Sequence, residues 1–367
     1  IRLRAAEAIG RLEGPIDAAR IVRVLDKRDP EVLRATFWSL ERLAQRDALT
    51  GDMEKVVDRI DPFLTQRADD GARAVALQAI VRIDANQGRR AGERMRGIED
   101  RETACSVLQA MMTLESGMAI GVVERAASAD DPGVRMQAVE LLKHCARRQT
   151  LDVLVARLRS ESRPAIRERV VAALRWLTGF RHGDKVDAWA HTVRSLPVMW
   201  KPGDVKNAYA ASGRSRGSVA QIRRLQPGSE RLAILVDFSG SLWNVKGDGT
   251  RRKDLVDPEV VGLLERLNQK GSFFLVPYTG EPHPMTEAPI DATPFNVRKA
   301  QRFFENATMR GKGNVYDAID VALSFDSVDR ILVMTDGAPT GGRRWNLDLM
   351  VPLLLERTRF RPVIFDF

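Results

Sequence analysis

The chain has 367 residues, 44% of them hydrophobic and 29% charged, an ordinary globular composition long enough for two domains. No stretch reaches the roughly 18 consecutive apolar residues of a membrane span, and the two cysteines, Cys105 and Cys145, are too few for a disulfide scaffold. The net charge of +9 is uneven: from Gly228 on, 18 Lys and Arg face 19 Asp and Glu, whereas the residues before it carry 40 against 30.

The N-terminal part repeats. An apolar or small anchor followed eight places later by a large apolar residue recurs at Ile1/Ile9, Val32/Leu40, Ala72/Ile80, Thr103/Met111, Val134/Leu142 and Ile166/Leu174. Arg2, Arg73, Arg135 and Arg167 follow four anchors directly. Asp29-Pro30, Asp131-Pro132 and Arg163-Pro164 precede three, where proline suits a first helical turn. Each copy continues into a second apolar-periodic segment, such as Ala18–Leu25, Val56–Leu64, Met118–Ala126 or Leu151–Leu158. Two amphipathic helices per copy predict a helical solenoid, which is a binding scaffold. Thr103 departs most from the anchor pattern. His144 beside Cys145 has no second ligand pair, Trp38 and Trp176 read as packing, and both cysteines read as buried thiols. The Asp-Pro-x-Val starts and Ala/Leu-rich first helices resemble HEAT repeats of the short bacterial kind. The segment Thr178–Asp184 with Ala188-Trp189 resembles the close of such an array, with Trp189 as its cover. The first copy starts without a cap, so the array is expected to extend upstream, and the compartment, cytoplasmic or exported, stays open.

Residues 1–200 are therefore expected to form the solenoid and 201–228 a linker. The linker carries six basic residues against Asp204, lacks periodicity, and has one short helix expected at Ser218–Leu225. A third segment, 229–367, alternates strand and helix. Leu232–Val236 is an apolar run ending in Asp237-Phe238-Ser239-Gly240-Ser241, and it reads as a strand buried on both faces. Helices are expected at Leu255–Gln269, Phe295–Asn306, Val315–Phe325 and Leu347–Thr358, with strands at Ser272–Tyr278, Arg330–Thr335 and Pro362–Phe367. That alternation predicts right-handed crossovers and a mostly parallel, doubly wound sheet with helices on both faces. Such sheets bind ligands at the carboxyl ends of their strands, where Asp237 and Asp336 would meet.

Asp237, Ser239 and Ser241 put a carboxylate and two hydroxyls on one loop, a donor set suited to a hard divalent cation. This D-x-S-x-S loop, the Arg310–Ile319 segment and Asp336-Gly337 resemble, in order, three motifs of the von Willebrand factor A (vWA) family. The resemblance implies a Rossmann-like α/β domain whose metal-ion-dependent adhesion site holds Mg²⁺ or Mn²⁺ through Asp237, Ser239, Ser241 and Asp336. The family's threonine ligand falls on Gly313, which has no side-chain oxygen, so Asn314 or water would have to serve. Asp317 reads as a helix-start acid, His283 as non-catalytic, and Lys246–Lys253 as a basic loop on the metal-bearing face. The chain stops before the last helix of a typical vWA domain.

The combined reading is a non-enzymatic interaction protein: a HEAT-like scaffold joined to a metal-dependent face for a protein partner that offers an acidic residue. The rival is an RNA-binding protein similar in layout to the Ro autoantigen family, using the basic repeat surface. Turnover by the cation is not expected, since no general base accompanies it.

Overall fold

Aspartates begin the helices of the first half. The N-caps Asp29, Asp69, Asp100 and Asp131 each stand three residues before an anchor and accept a backbone N–H of the first turn: Val32, Ala72, Thr103 and Val134 respectively. The helices follow as α1 (Arg2–Ile9), α2 (Ala18–Val22), α3 (Pro30–Gln45), α4 (Met53–Ile60), α5 (Asp70–Ile83), α6 (Ala85–Met95), α7 (Arg101–Leu114), α8 (Ser116–Ala126), α9 (Pro132–Leu142), α10 (Arg148–Ser160), α11 (Pro164–Thr178) and α12 (Val186–Ser195). Pro30, Pro132 and Pro164 each open a helix, as their fixed φ favours. The structure, a computed structural model, describes residues 2–26, 29–65, 69–96, 100–114, 116–145, 147–197, 200, 230–245, 247, 249–267, 271–335 and 337–367. The anchor Ile1, the linker with its expected helix at Ser218–Leu225, Lys246 and Asp336 lie outside them.

The chain forms two compact units: Ile1–Arg159 with Ala172–Gly203, and Ser160–Val171 with Asp204–Phe367. In the helical unit the first helices of successive copies stack in series, α1 on α3, α3 on α5, α5 on α7 and α7 on α9. This is the HEAT-like solenoid expected from the anchors. The second helix of the third copy, α6, has few apolar side chains and compensates by close approach. A Cβ at Gly88 would stand 2.6 Å from the Val81 Cα, so only glycine fits there. A two-residue parallel pairing, β1 (Ile16–Asp17) with β2 (Leu49–Thr50), joins the first two copies and carries no periodic signal in sequence.

The recurrent arginines are structural ties. Arg73 donates to both Asp70 and Asp100 at 3.0 Å, and Arg101 grips Asp131 with two nitrogens at 2.9–3.1 Å, so each holds the N-cap acid of the next first helix. Burial pushes the Asp131 carboxyl up, but the Arg101 guanidinium and the Val134 N–H outweigh it and hold the group below its ordinary value. Arg135 and Arg167 each donate to the carbonyl five residues before the anchor, Ala129 and Glu161. At the end of the unit Trp189 is fully buried, its indole N–H donating to Gly183 O at 2.8 Å.

The α/β unit is built on β3 (Arg231–Asp237), whose five central residues are all buried. It pairs in parallel with β4 (Ser272–Tyr278) on one side and β6 (Arg330–Met334) on the other. β7 (Ile364–Asp366) extends the sheet beyond β6, and a short antiparallel β5 (Ile290–Asp291) closes the edge beyond β4, giving the order β5-β4-β3-β6-β7. The remaining helices are α13 (Arg252–Glu265), α14 (Pro294–Glu305), α15 (Val315–Leu323) and α16 (Leu347–Arg357). Leu232, Ile234 and Val236 face the side packed by α13 and α14, with Val260, Leu264, Ala300 and Phe304. Ala233 and Leu235 face the side packed by α15 and α16, with Ala318, Ile319, Ala322, Met350 and Leu354. This is the doubly wound, mostly parallel sheet expected. β5 is the one strand of this sheet missed, too short to show alternation.

Two outcomes follow from this packing. Leu235→Ala leaves a void in a fully buried layer and is expected to cost about 2–5 kcal/mol, read as a shifted urea midpoint for the α/β unit. Cys105 and Cys145 are free and buried, and burial raises both thiols, Cys145 to about 11. Native protein at pH 8 should therefore show no rapid reaction with a thiol reagent, and the denatured chain should titrate both cysteines.

Candidate metal centre at the sheet's carboxyl edge

β3 leaves the sheet at Asp237, and the turn after it is pinned from inside. Phe238 is fully buried, its N–H donating to Tyr278 O at 2.8 Å, and Leu242 is buried one helical turn later. With these two residues turned into the core, Asp237, Ser239 and Ser241 are half-buried at the sheet's edge. Asp237 Oδ1 accepts the Ser239 N–H at 2.8 Å, and the Ser239 and Ser241 hydroxyl oxygens stand 3.0 Å apart. The other carboxylate oxygen of Asp237 accepts the Thr335 hydroxyl at 2.8 Å, from the residue that follows β6. The site thus sits where the chain crosses from one half of the sheet to the other, the place such sheets bind ligands.

A third segment closes the site. Gly240 N–H donates to Gly311 O at 3.2 Å, and Ser239 bridges Gly311 in parallel. Two residues on, Gly313 is buried against the carboxylate: a Cβ there would lie 3.1 Å from Asp237 Oδ2 and 3.4 Å from Oδ1. Its N–H donates to Thr340 Oγ1 at 2.8 Å, and Thr340 N–H returns a bond to Gly313 O at 3.1 Å. The position expected to carry a ligand side chain does face the site, but glycine leaves that ligand missing and sets the backbone close against the carboxylate.

Asn314 does not supply that ligand. It is buried and caps α15, its Oδ1 accepting the Asp317 N–H at 3.3 Å. Its Nδ2 donates to Gly280 O at 2.9 Å and to Asp317 Oδ2 at 2.7 Å. Both polar atoms are committed to the loop. Asp317 is the helix-start acid expected, and Arg343 also holds it, at 2.9 Å. His283 pairs with the Thr279 hydroxyl at 2.8 Å. Asp336 lies outside the described residues. Among those residues no group of three or more His, Cys, Asp and Glu could hold a metal, so any cation here would depend on hydroxyls as well as on Asp237.

The expectation for Lys246–Lys253 needs one correction. Lys253 is 5% exposed, its ammonium donating to Asp257 and, at 2.7 Å, to Phe304 O. It also lies 5.7 Å from the Phe238 ring centre and 5.8 Å from that of Trp243. It props the turn beneath the motif instead of facing a ligand. Burial pushes the Asp257 carboxyl up in spite of its Lys253 partner. Sequence reasoning missed this role, and those of Thr335 and Thr340, because each rests on contacts between distant segments.

Against known proteins, residues 93–187 match the family described as HEAT repeats, a stretch running from the end of α6 into α12. A mouse protein, inter alpha-trypsin inhibitor heavy chain 4, is 26% identical over 126 residues, covering 31% of this chain and 13% of its own length. The complex of CpcE and CpcF of phycocyanin lyase from Nostoc overlays 52% of this chain and 73% of its own, with 14% identity and a TM-score of 0.33. The Ro protein of Deinococcus radiodurans overlays 94% of this chain and 85% of its own, with 12% identity and a TM-score of 0.28. Neither overlay bears on what this chain does.

Removing the buried cation tests the propped turn. Lys253→Ala leaves Asp257 unpaired and is expected to cost about 3 kcal/mol in urea unfolding of the α/β unit. An unchanged midpoint would mean that Lys253 is solvated.

Proposed function

We propose that the chain is a non-enzymatic interaction protein in which HEAT repeats provide a scaffold and the edge of the α/β sheet provides a metal-dependent docking face. The supporting observation is the convergence of Asp237, Ser239 and Ser241 at the mouth between β3 and β6, with the two hydroxyls 3.0 Å apart. The donors are all oxygen, which fits Mg²⁺ or Mn²⁺, and glycine at position 313 adds no side-chain ligand beside the carboxylate. Ser239 and Ser241, with Asp237 and Asp336, are the residues that would hold the ion. Bound there, the ion supplies an electrophilic, open coordination position for a partner's carboxylate. The residues of this chain orient that position: Thr335 and the Ser239 N–H fix the two oxygens of Asp237, and Phe238 and Leu242 anchor the turn. Recognition of a ligand is favoured over turnover because Asp317, the nearby acid among the described residues, is held by Asn314 and Arg343.

The RNA reading draws on the excess of basic residues before Gly228. Four of those basic residues already have partners within the repeats, Arg73 and Arg101 with acids and Arg135 and Arg167 with carbonyls, which leaves the net charge unchanged.

Calorimetric titration of Mg²⁺ and of Mn²⁺ into metal-stripped protein separates the two. Saturable heat that Asp237→Ala abolishes is the expected result. Wild-type protein that takes up neither ion at millimolar concentration would sink the metal-dependent reading and leave the solenoid and RNA.

A further inference from the structure

The loop that closes the candidate site carries two cations with no acidic partner among the described residues. Arg310 and Lys312 are both exposed and flank Gly311, the residue bonded to Gly240 and bridged to Ser239. The other basic groups near this edge are engaged: Lys253 is buried with Asp257, and Arg343 binds Asp317 and Asp320. Arg310 and Lys312 differ from these in being positioned without being neutralised. The Arg310 guanidinium lies 4.4 Å from the ring centre of Trp243, which ends the turn that carries Ser241. The Lys312 stem packs on the chain at Gly341, where a Cβ would come within 2.8 Å of the Lys312 Cβ.

We propose that Arg310 and Lys312 form a cationic rim that takes a second carboxylate of an acidic peptide whose first carboxylate enters the candidate metal site. The inference rests on the metal-dependent reading above and names the partner's chemistry: neighbouring Asp or Glu side chains, not a single acid. Stacking on Trp243 holds the guanidinium in place and lowers the entropy lost on binding, while its fork of N–H donors matches a carboxylate. Two uncompensated positive charges beside the site repel basic ligands, which adds selectivity to whatever the ion provides. A single-stranded nucleic acid is a poorer fit because it needs open aromatic faces for its bases, and Arg310 already covers Trp243.

The test uses the full chain and fluorescence anisotropy with labelled deca-glutamate, with and without Mg²⁺, and with labelled deca-uridylate as the nucleic-acid comparison. Deca-glutamate should bind in Mg²⁺, more weakly as salt rises, and R310A/K312A should weaken it about tenfold. Saturable Mg²⁺ heat should persist in that variant and be no weaker, because neither side chain is among the proposed ligands and their removal takes two positive charges from beside the site. Equal binding by wild type and the double variant overturns the proposal, as does no binding of deca-glutamate at all. Tighter capture of deca-uridylate through the same two residues overturns it in favour of nucleic acid. Deca-glutamate binding that survives chelation and still depends on Arg310 and Lys312 keeps the rim and removes the metal-dependent reading.

Discussion

The burial of β3 on both faces is the constraint on which the candidate site depends. Leu232, Ile234 and Val236 fill one layer, while Ala233 and Leu235 fill the other. A slip of one residue would exchange the two sets and put Ala233 where a large side chain is needed, so the packing fixes the register as firmly as the hydrogen bonds to β4 and β6 do. Asp237 inherits that position. Its two oxygens are then set by groups from different strands, the Ser239 N–H and the Thr335 hydroxyl. Rigid elements hold a constellation better than loops do, and here the Asp237 carboxylate is attached to the central strand of the sheet.

The helical unit shows a different economy of charge. A basic composition is usually read as a surface for acidic partners, yet the arginines that recur with the repeat are used to fasten it. Arg73 and Arg101 reach the aspartates that cap the following helices, so one acid serves both as a cap and as the anchor of an inter-repeat bond. These groups are only part-exposed, so although a surface ion pair has a net value of about 0–1 kcal/mol, removing one partner here would leave a partly desolvated charge. Of the arginines that follow an anchor, Arg73 makes such a tie and Arg135 and Arg167 brace carbonyls of their own copy, so these three have structural roles without any ligand. Net charge is a statement about solubility and association, and it does not by itself locate a binding face.

What could be read in the residues alone follows the same division. The repeats, the seven principal α/β elements after β3 and the order of the metal motif were legible because each is periodic or carries a local turn signal. Every expected helix start in the α/β unit lies within three residues of the observed one. The parts that were not legible depend on partners far along the chain. Lys253 is buried by an acid on its own helix, but also by Phe304, fifty-one residues away. Thr335 looked like the last residue of a strand, and its bond to Asp237 spans ninety-eight residues. A lysine in a run of basic residues gives no local sign that one member will turn inward, so it was assigned with its neighbours to the surface.

Gly313 joins these strands of the argument. The family pattern places a hydroxyl-bearing ligand there, and the geometry agrees that a side chain at this point would meet Asp237, since a Cβ alone would come within 3.1 Å of it. The chain has instead brought its backbone close, with Thr340 bonding both the N–H and the carbonyl of Gly313. Asn314 is no substitute, because its side chain caps α15 and tethers the Gly280 loop. A site arranged in this way offers fewer side-chain donors than the pattern it resembles. Any ion held there would rely more on what the partner brings, and a ligand with more than one carboxylate would gain most from the two exposed cations on the rim. The missing ligand and the exposed Arg310 and Lys312, which have no acidic partner among the described residues, are then complementary features of one surface: the first loosens the hold on the ion, and the second compensates by holding the ligand.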